Sequence, residues 1–69
     1  MEIILNNNPD FVETPEKTIT VEELLKIKKF SYKLLIVKVN DILVTKENYP
    51  KVSVCAGDNV QVIHLMTGG

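Results

Sequence analysis

The sequence predicts an α+β domain in which a single helix packs on one face of a mixed sheet of four to five strands. Three observations lead to this prediction. One segment carries the start signal and the apolar spacing of a helix, short extended segments separated by turn residues surround it, and 69 residues suffice for one domain at most. The chain is 45% hydrophobic and 25% charged, which is typical of a globular protein.

The first two predicted strands form a hairpin. Residues 1–6 alternate between two faces, as in a strand that is buried on one side. Residues 6–9 are a turn cluster, because asparagine tolerates a left-handed backbone and Pro9 cannot donate a hydrogen bond to a strand ladder. We expect residues 10–14 to form the second strand and residues 15–17 to follow as a loop.

The helix is predicted to begin after Thr20. The Thr20 hydroxyl can accept a hydrogen bond from the backbone N–H of Glu23, whose side chain can reach back to the N–H of Thr20, as in a capping box. Glu22 and Glu23 also lie at the positive end of the helix dipole. We expect the helix to end near Lys29. Its apolar stripe consists of Val21, Leu24, Leu25 and Ile27.

The second half of the chain is predicted to be mostly extended. Residues 34–39 carry the strongest strand pattern, apolar on both faces as far as Lys38, which is typical of a central strand. Asn40 and Asp41 are a turn pair. The remaining predicted segments are a return strand at 42–44, a polar turn at 46–50, an extended segment or brief strand at 52–54, a turn at 57–58 and a last strand at 60–65.

With residues 52–54 counted as merely extended, the resulting element order is β-β-α-β-β-β, with the helix on one face of the sheet. If the first hairpin is antiparallel, the first and last strands can lie side by side and parallel in the centre of the sheet. That arrangement is the β-grasp of ubiquitin-like proteins. We therefore expect a β-grasp domain over residues 1–65, followed by a flexible tail at residues 66–69.

The last two residues, Gly68 and Gly69, are the candidate functional end of the chain. Glycine has no Cβ, so two consecutive glycines form a tail that is slim enough to enter a narrow channel. The alternative is a frayed terminus, which is common in domains generally. The functional interpretation is favoured by a family resemblance that extends across the whole chain, given below.

An apolar outer face of the sheet is the second candidate site. Ile63 and Leu65 have the opposite parity to the expected core residues of the last strand, and Ile4 faces the same way in the first strand. Together with Met66 and Thr67, they are candidate contacts for a partner protein. The alternative interpretation is a set of scattered surface apolar side chains, which are ordinary when single.

Charge and cysteine content argue against several classes of function. The net charge of −1 leaves no basic surplus that would favour nucleic acid or an anionic membrane. Cys55 is the only cysteine, so an internal disulfide is impossible and a reducing cytoplasm is expected. No apolar run reaches the roughly 20 residues of a membrane span, and the start does not resemble a signal peptide. His64, which has core parity, and Cys55 have no sequence neighbours that would indicate a metal site or an activated thiol.

Four short segments in this order identify a family resemblance. They are residues 1–6 (MEIILN), 37–40 (VKVN), 57–60 (GDNV) and the terminal Gly68-Gly69. Their order and spacing resemble the ThiS family of sulfur carriers in thiamine biosynthesis, over essentially the whole chain. The chain departs from the family at the first turn, where the family often has Asn-Gly and this sequence has Asn6-Asn7.

The resemblance implies that the Gly69 carboxylate is the reactive group and that Gly68 keeps the tail slim. It implies adenylation of this carboxylate with ATP by an E1-like adenylyltransferase of the ThiF type. A persulfide-bearing protein would then supply sulfur, and a ThiG-type thiazole synthase would use the thiocarboxylate to form the thiazole ring. The chain itself would bind no cofactor or metal, would be a protein co-substrate rather than an enzyme, and would be monomeric when free.

Three other functions fit the same sequence features. The small subunit of molybdopterin synthase shares the fold and the tail, although members of that family are usually longer. A ubiquitin-like binding module would use the apolar sheet face and have no tail chemistry. A conjugated modifier would join Gly69 to lysine side chains of target proteins.

Overall fold

A computed structural model describes residues 1–30 and 35–64 of the chain. Within these residues it contains seven strands, one α-helix and one turn of 3₁₀-helix. The elements in chain order are β1 (Glu2–Leu5), β2 (Asn8–Phe11), β3 (Thr18–Thr20), α1 (Val21–Ile27), β4 (Leu35–Val39), β5 (Ile42–Val44), the 3₁₀-helix (Lys46–Asn48), β6 (Ser53–Cys55) and β7 (Asn59–His64). Leu34 and residues 65–69, for which strand and tail were predicted, lie outside the described residues.

Five of the strands form one mixed sheet in the order β2-β1-β7-β4-β5, while β3 and β6 pair as a separate two-stranded sheet. The first and last strands are parallel neighbours in the centre, with Leu5 opposite Val60. The other pairs in the sheet are antiparallel. The predicted mixed sheet with parallel terminal strands is therefore present, and β7 has a neighbour on each side.

The core lies between α1 and one face of the five-stranded sheet. Alternate residues of β1, β4 and β7 point inward and are buried, as strand periodicity requires. Each fully buried aliphatic side chain contributes about 1.5–3 kcal/mol relative to an exposed one. The buried set is Ile3, Leu5, Val12, Ile19, Val21, Leu24, Leu25, Val37, Val39, Val44, Tyr49, Val54, Val60 and Val62. The sequence pattern did not identify Tyr49, whose burial raises the pKa of its hydroxyl.

The first hairpin differs from the prediction, because its turn is shorter and its second strand begins earlier. Asn6 and Asn7 both have positive φ, 51° and 70°, which permits a two-residue turn, so β2 begins at Asn8 rather than Asp10. Pro9 thus lies within a strand, opposite Ile4. It is tolerated there because β2 is at the sheet edge and the N–H of Ile4 bonds the Asp58 carbonyl instead.

The helix begins where it was predicted but ends earlier. Glu23 N–H donates to the Thr20 hydroxyl oxygen (3.1 Å) and Thr20 N–H donates to the Glu23 carboxylate (3.0 Å), which completes the capping box. The helix ends at Ile27 because Lys29 adopts φ 59°, and Phe30 N–H then bonds the Leu25 carbonyl. This is the Schellman closure that usually uses glycine.

Strand β3 was not predicted. Its three residues include Thr20, which also caps the helix, so the segment is too short to show a strand period. It forms because Ile19, which is buried, pairs with Val54 of β6 far along the chain. Strand β6 itself is Ser53–Cys55, one residue later than predicted, and β7 begins one residue earlier, at Asn59.

Candidate functional site

Strand β7 carries the chain toward the candidate tail. It is described as far as His64, five residues before Gly69. On one side it pairs with β4 from Val60, which lies opposite Val39, to His64, which lies opposite Leu35. The sheet therefore supports β7 up to the last residue that the structure describes.

The other side of β7 is supported by β1 and then by a side chain. Asn6 N–H donates to the Val60 carbonyl (2.9 Å), just past the end of β1. Val62 N–H donates to the Asn6 Oδ1 atom (2.8 Å). The sequence predicts Asn6 only as the end of the first strand and the start of the turn, since no local pattern shows that its amide reaches a strand near the other end of the chain.

The helix side of β7 ends in an aromatic contact. The rings of Phe30 and His64 lie with centroids 5.8 Å apart and planes inclined by 46°. His64 has the core parity that was expected, but it is exposed because it lies beyond the last buried residue, Val62. Its ring and that of Phe30 form the rim of the core where the tail begins.

The outer face of the sheet carries part of the predicted partner surface. Ile63 is 46% exposed and lies opposite Ile36 of β4, so these two side chains form an apolar pair next to the start of the tail. Ile4 is half-buried on the same face, but it lies beside Asn59. Asn59 is four positions before Ile63, so Ile4 is separated from Ile63 by about 13 Å along β7.

Two further apolar side chains on this outer face were missed. Phe11 is 63% exposed on the edge strand β2, opposite Glu2, and Leu43 is 59% exposed on β5, opposite Lys38. Phe11 was expected in a strand, within residues 10–14, but only its pairing with Glu2 places it on the outer face. The remaining predicted site residues, Leu65, Met66, Thr67, Gly68 and Gly69, lie outside the described residues.

Cys55 is exposed but is not prepared for nucleophilic chemistry. The Asp58 carboxylate accepts a hydrogen bond from the Cys55 backbone N–H (2.9 Å) and lies 3.6 Å from Sγ. The negative charge of Asp58 raises the pKa of the Cys55 thiol, with smaller effects from burial and from the hydrogen bond to that carboxylate. The thiolate is the reactive form of cysteine, so this neighbour lowers its reactivity.

Neither a cluster of metal-ligating side chains nor a membrane-spanning helix occurs among the described residues. Over residues 1–30 and 35–64, no three side chains of the His, Cys, Asp and Glu types are grouped so that they could hold a metal ion. The helix found in this part of the chain is not long and apolar enough to cross a membrane.

Comparison with known proteins gives consistent matches. The sequence model of the ThiS family matches residues 3–69 of this chain. The chain is 30% identical over 66 residues to the sulfur carrier protein ThiS of Bacillus subtilis (strain 168), an alignment that covers 96% of this chain and 100% of that protein. It resembles the crystal structure of the thiamine biosynthesis protein ThiS from Geobacter metallireducens with a TM-score of 0.85, 27% identity and full coverage of both chains.

A second solved structure also matches over the full length of this chain. The solution structure of a thiamine biosynthesis protein from Geobacter metallireducens matches with a TM-score of 0.82 and 28% identity, over 100% of this chain and 88% of that one. The likeness thus covers the whole chain rather than a fragment, and it confirms the predicted β-grasp fold. The chain belongs to the ThiS family.

Proposed function

We propose that this chain is a sulfur carrier of thiamine biosynthesis whose Gly69 carboxylate is converted to a thiocarboxylate. Its membership of the ThiS family and its likeness to the Bacillus subtilis sulfur carrier support this function. The observation that carries the proposal is the position of β7. Strand β4 pairs with β7 as far as His64, and on the other side β1 and the Asn6 side chain bond it as far as Val62. The residues that lead to the proposed reactive group therefore follow a strand that is held on both sides.

The proposed chemistry begins with activation of the tail. A terminal carboxylate is ionised at neutral pH but is a poor electrophile. One carboxylate oxygen of Gly69 attacks the α-phosphorus of ATP in an E1-like adenylyltransferase of the ThiF type. The bond from this phosphorus to the bridging oxygen breaks, and pyrophosphate leaves. The product is an acyl-adenylate whose carbonyl carbon accepts a nucleophile.

Sulfur then replaces AMP. The terminal sulfur of a donor persulfide attacks the carbonyl carbon, AMP leaves, and the chain is joined to the donor through an acyl disulfide. A thiol reduces this disulfide, which releases the Gly69 thiocarboxylate and leaves a disulfide between the thiol and the donor. We propose that a ThiG-type thiazole synthase consumes the thiocarboxylate, and that these steps take place in the cytoplasm.

In this proposal the chain is a co-substrate and other proteins supply the catalytic groups. The raised pKa of Cys55 disfavours its thiolate, so we assign no sulfur relay to it. The outer-face pair of Ile36 and Ile63 is adjacent to the start of the tail. We propose that this pair, together with Ile4 and with Leu65, Met66 and Thr67 beyond it, contacts the adenylyltransferase.

The test is conversion of the intact chain followed by mass spectrometry. The protein is incubated with ATP, the adenylyltransferase encoded by the same genome, and a persulfide donor with a thiol. We expect a mass increase that corresponds to replacement of one oxygen by sulfur. In a parallel reaction without donor, hydroxylamine should trap the acyl-adenylate as a hydroxamate, which separates adenylation from sulfur transfer.

The matched control is the chain with Gly69 deleted, which still ends in a glycine carboxylate. It should retain the thermal stability of the full chain, since the last core residue among those described is Val62, seven positions earlier in the sequence. Its adenylation rate should fall at least about 100-fold, because a displaced reacting group loses its alignment. An unchanged mass of the full chain in both reactions would contradict the proposal and favour a binding module without tail chemistry.

A further inference from the structure

We propose that Asn6 is a positioning residue for the C-terminal tail. Its side chain holds the end of β7 in line with the sheet, so that the tail leaves the domain in one direction. This inference rests on the proposed function, since it concerns how the Gly69 carboxylate is presented to a partner enzyme. It assigns to a turn residue a role at the opposite end of the chain.

The need for such a residue follows from the unequal lengths of two strands. Strand β1 ends at Leu5, opposite Val60, whereas β7 continues to His64. Every second residue along this part of the chain turns its backbone groups toward β1. The Asp58 carbonyl accepts a hydrogen bond from the N–H of Ile4, and the Val60 carbonyl accepts one from the N–H of Asn6. The next group in this series is the N–H of Val62, which lies beyond the end of β1.

The Asn6 side chain occupies the place of the missing strand residue. Its Oδ1 accepts the hydrogen bond of Val62 N–H at 2.8 Å, in a partly buried position. Leaving a buried backbone N–H without a partner costs about 1–3 kcal/mol, so this acceptor favours the straight course of β7. The backbone of Asn6 meanwhile turns into the hairpin, with φ 51°.

Few residue types could do both tasks. The left-handed conformation selects Gly, Asn or Asp, and the bond to Val62 requires an acceptor at the distance of an amide oxygen. Glycine would make the turn without the acceptor, whereas aspartate would keep both. Asn7 is a natural control, since it has φ 70° in the same turn and its side chain makes no hydrogen bond to the described residues.

The experiment compares Asn6→Gly, Asn6→Ser, Asn6→Asp and Asn7→Gly with the wild-type chain. Amide hydrogen exchange at Val62 reports whether β7 is held, and initial rates of hydroxamate formation give kcat and KM for adenylation. In Asn6→Gly we expect exchange at Val62 to be roughly fivefold faster and kcat to be about three- to tenfold lower, because one hydrogen bond is lost. KM should stay within about twofold, since the partner surface is unchanged.

The other variants decide between positioning and general damage. Asn6→Asp should recover wild-type exchange and kcat, and Asn7→Gly should match the wild type in both. Asn6→Ser, whose hydroxyl is one bond shorter than the amide, also loses the acceptor and is in addition strained at φ 51°, so its exchange at Val62 should be at least as fast as that of Asn6→Gly. Equal exchange and equal kcat for Asn6→Gly and Asn7→Gly would overturn the inference.

The design also separates this inference from the function on which it rests. A wild-type chain that forms no hydroxamate would overturn the proposed function, whatever the variants do. In that case the exchange at Val62 still decides whether Asn6 holds β7, since it needs no enzyme. A wild-type chain that is adenylated normally, with no effect of Asn6→Gly on kcat, would leave the function intact and remove only the role of Asn6.

Discussion

Asp58 organises the turn that leads into β7. Its carboxylate accepts hydrogen bonds from the Cys55 backbone N–H (2.9 Å) and from the Asn40 side chain (3.2 Å), so it joins two loops at one end of the sheet. Gly57 precedes it with φ 87°, a conformation that L side chains rarely adopt. The negative charge of the same carboxylate raises the pKa of the neighbouring Cys55 thiol.

We expect Asp58→Asn to make Cys55 more reactive. The substitution keeps an acceptor oxygen but removes the negative charge, so the pKa of the thiol should fall and more thiolate should be present at mildly alkaline pH. The measurement is the rate of iodoacetamide alkylation against pH, followed by intact mass. Asp41→Asn, in the adjacent exposed turn, should alkylate at the wild-type rate. A pH profile of Asp58→Asn that coincides with the wild type would contradict this assignment.

Helix α1 shows how much of an element is encoded locally. Its start was predicted correctly because the capping box needs only Thr20 and Glu23, three residues apart. Its end was placed too late because lysine at position 29 gives no sign of the left-handed backbone that closes the helix. The Lys28 ammonium then bonds the Asp10 carboxylate (2.7 Å) and the Phe11 carbonyl (3.0 Å), which ties this end of the helix to β2.

Thr20→Ala should lower the free energy of unfolding by about 1 kcal/mol, because the N-cap hydroxyl is lost. Urea denaturation would measure the change. Thr20→Ser keeps the hydroxyl and should recover most of the stability. Thr18→Ala, at an exposed position in the same strand β3, should change the stability by at most about 0.5 kcal/mol. Equal losses for Thr18→Ala and Thr20→Ala would show that the cap contributes nothing particular.

The fold places the first and last strands of the chain side by side within one sheet. Strand β7 lies between β1 and β4, so the strand that leads to the tail is among the best supported in the domain. The helix covers one face, and the outer face is left with apolar side chains from several strands. The exposed apolar residue Ile63 therefore lies on the strand that leads to residues 65–69.

Ile63→Ser should weaken the interaction with the adenylyltransferase while leaving the domain folded. Loss of a central apolar contact typically costs 1 kcal/mol or more in binding, so KM for the carrier should rise at least about fivefold. Ile42→Ser is the matched control. Ile42 is 70% exposed and pairs with Val39, so it lies at the other end of strand β4 from the Leu35–His64 pair. Equal KM values for the two variants would exclude the outer face near Ile63 as the contact.

Local sequence patterns determined the kinds of element, their order and the α+β class. Alternating apolar residues, the capping box and the asparagine pairs act over a few residues, so they can be recognised without knowledge of the fold. The family resemblance pointed to Gly68 and Gly69, which lie outside the described residues. Strand β3 was missed entirely. The other errors in the elements concern boundaries, as at Asn8 and Ile27, where one backbone conformation moves the end of an element.

Tertiary structure alone decided which residues act on one another across the chain. The pairing of Ile19 with Val54, the burial of Tyr49 and the bond from Val62 to Asn6, which are 56 positions apart, leave no mark in any short window of sequence. Such contacts depend on the whole sheet being assembled, because each residue gains its partner only when distant strands meet. The candidate site combines both kinds of information, since a tail that the sequence identifies is attached to a strand that the fold holds in place.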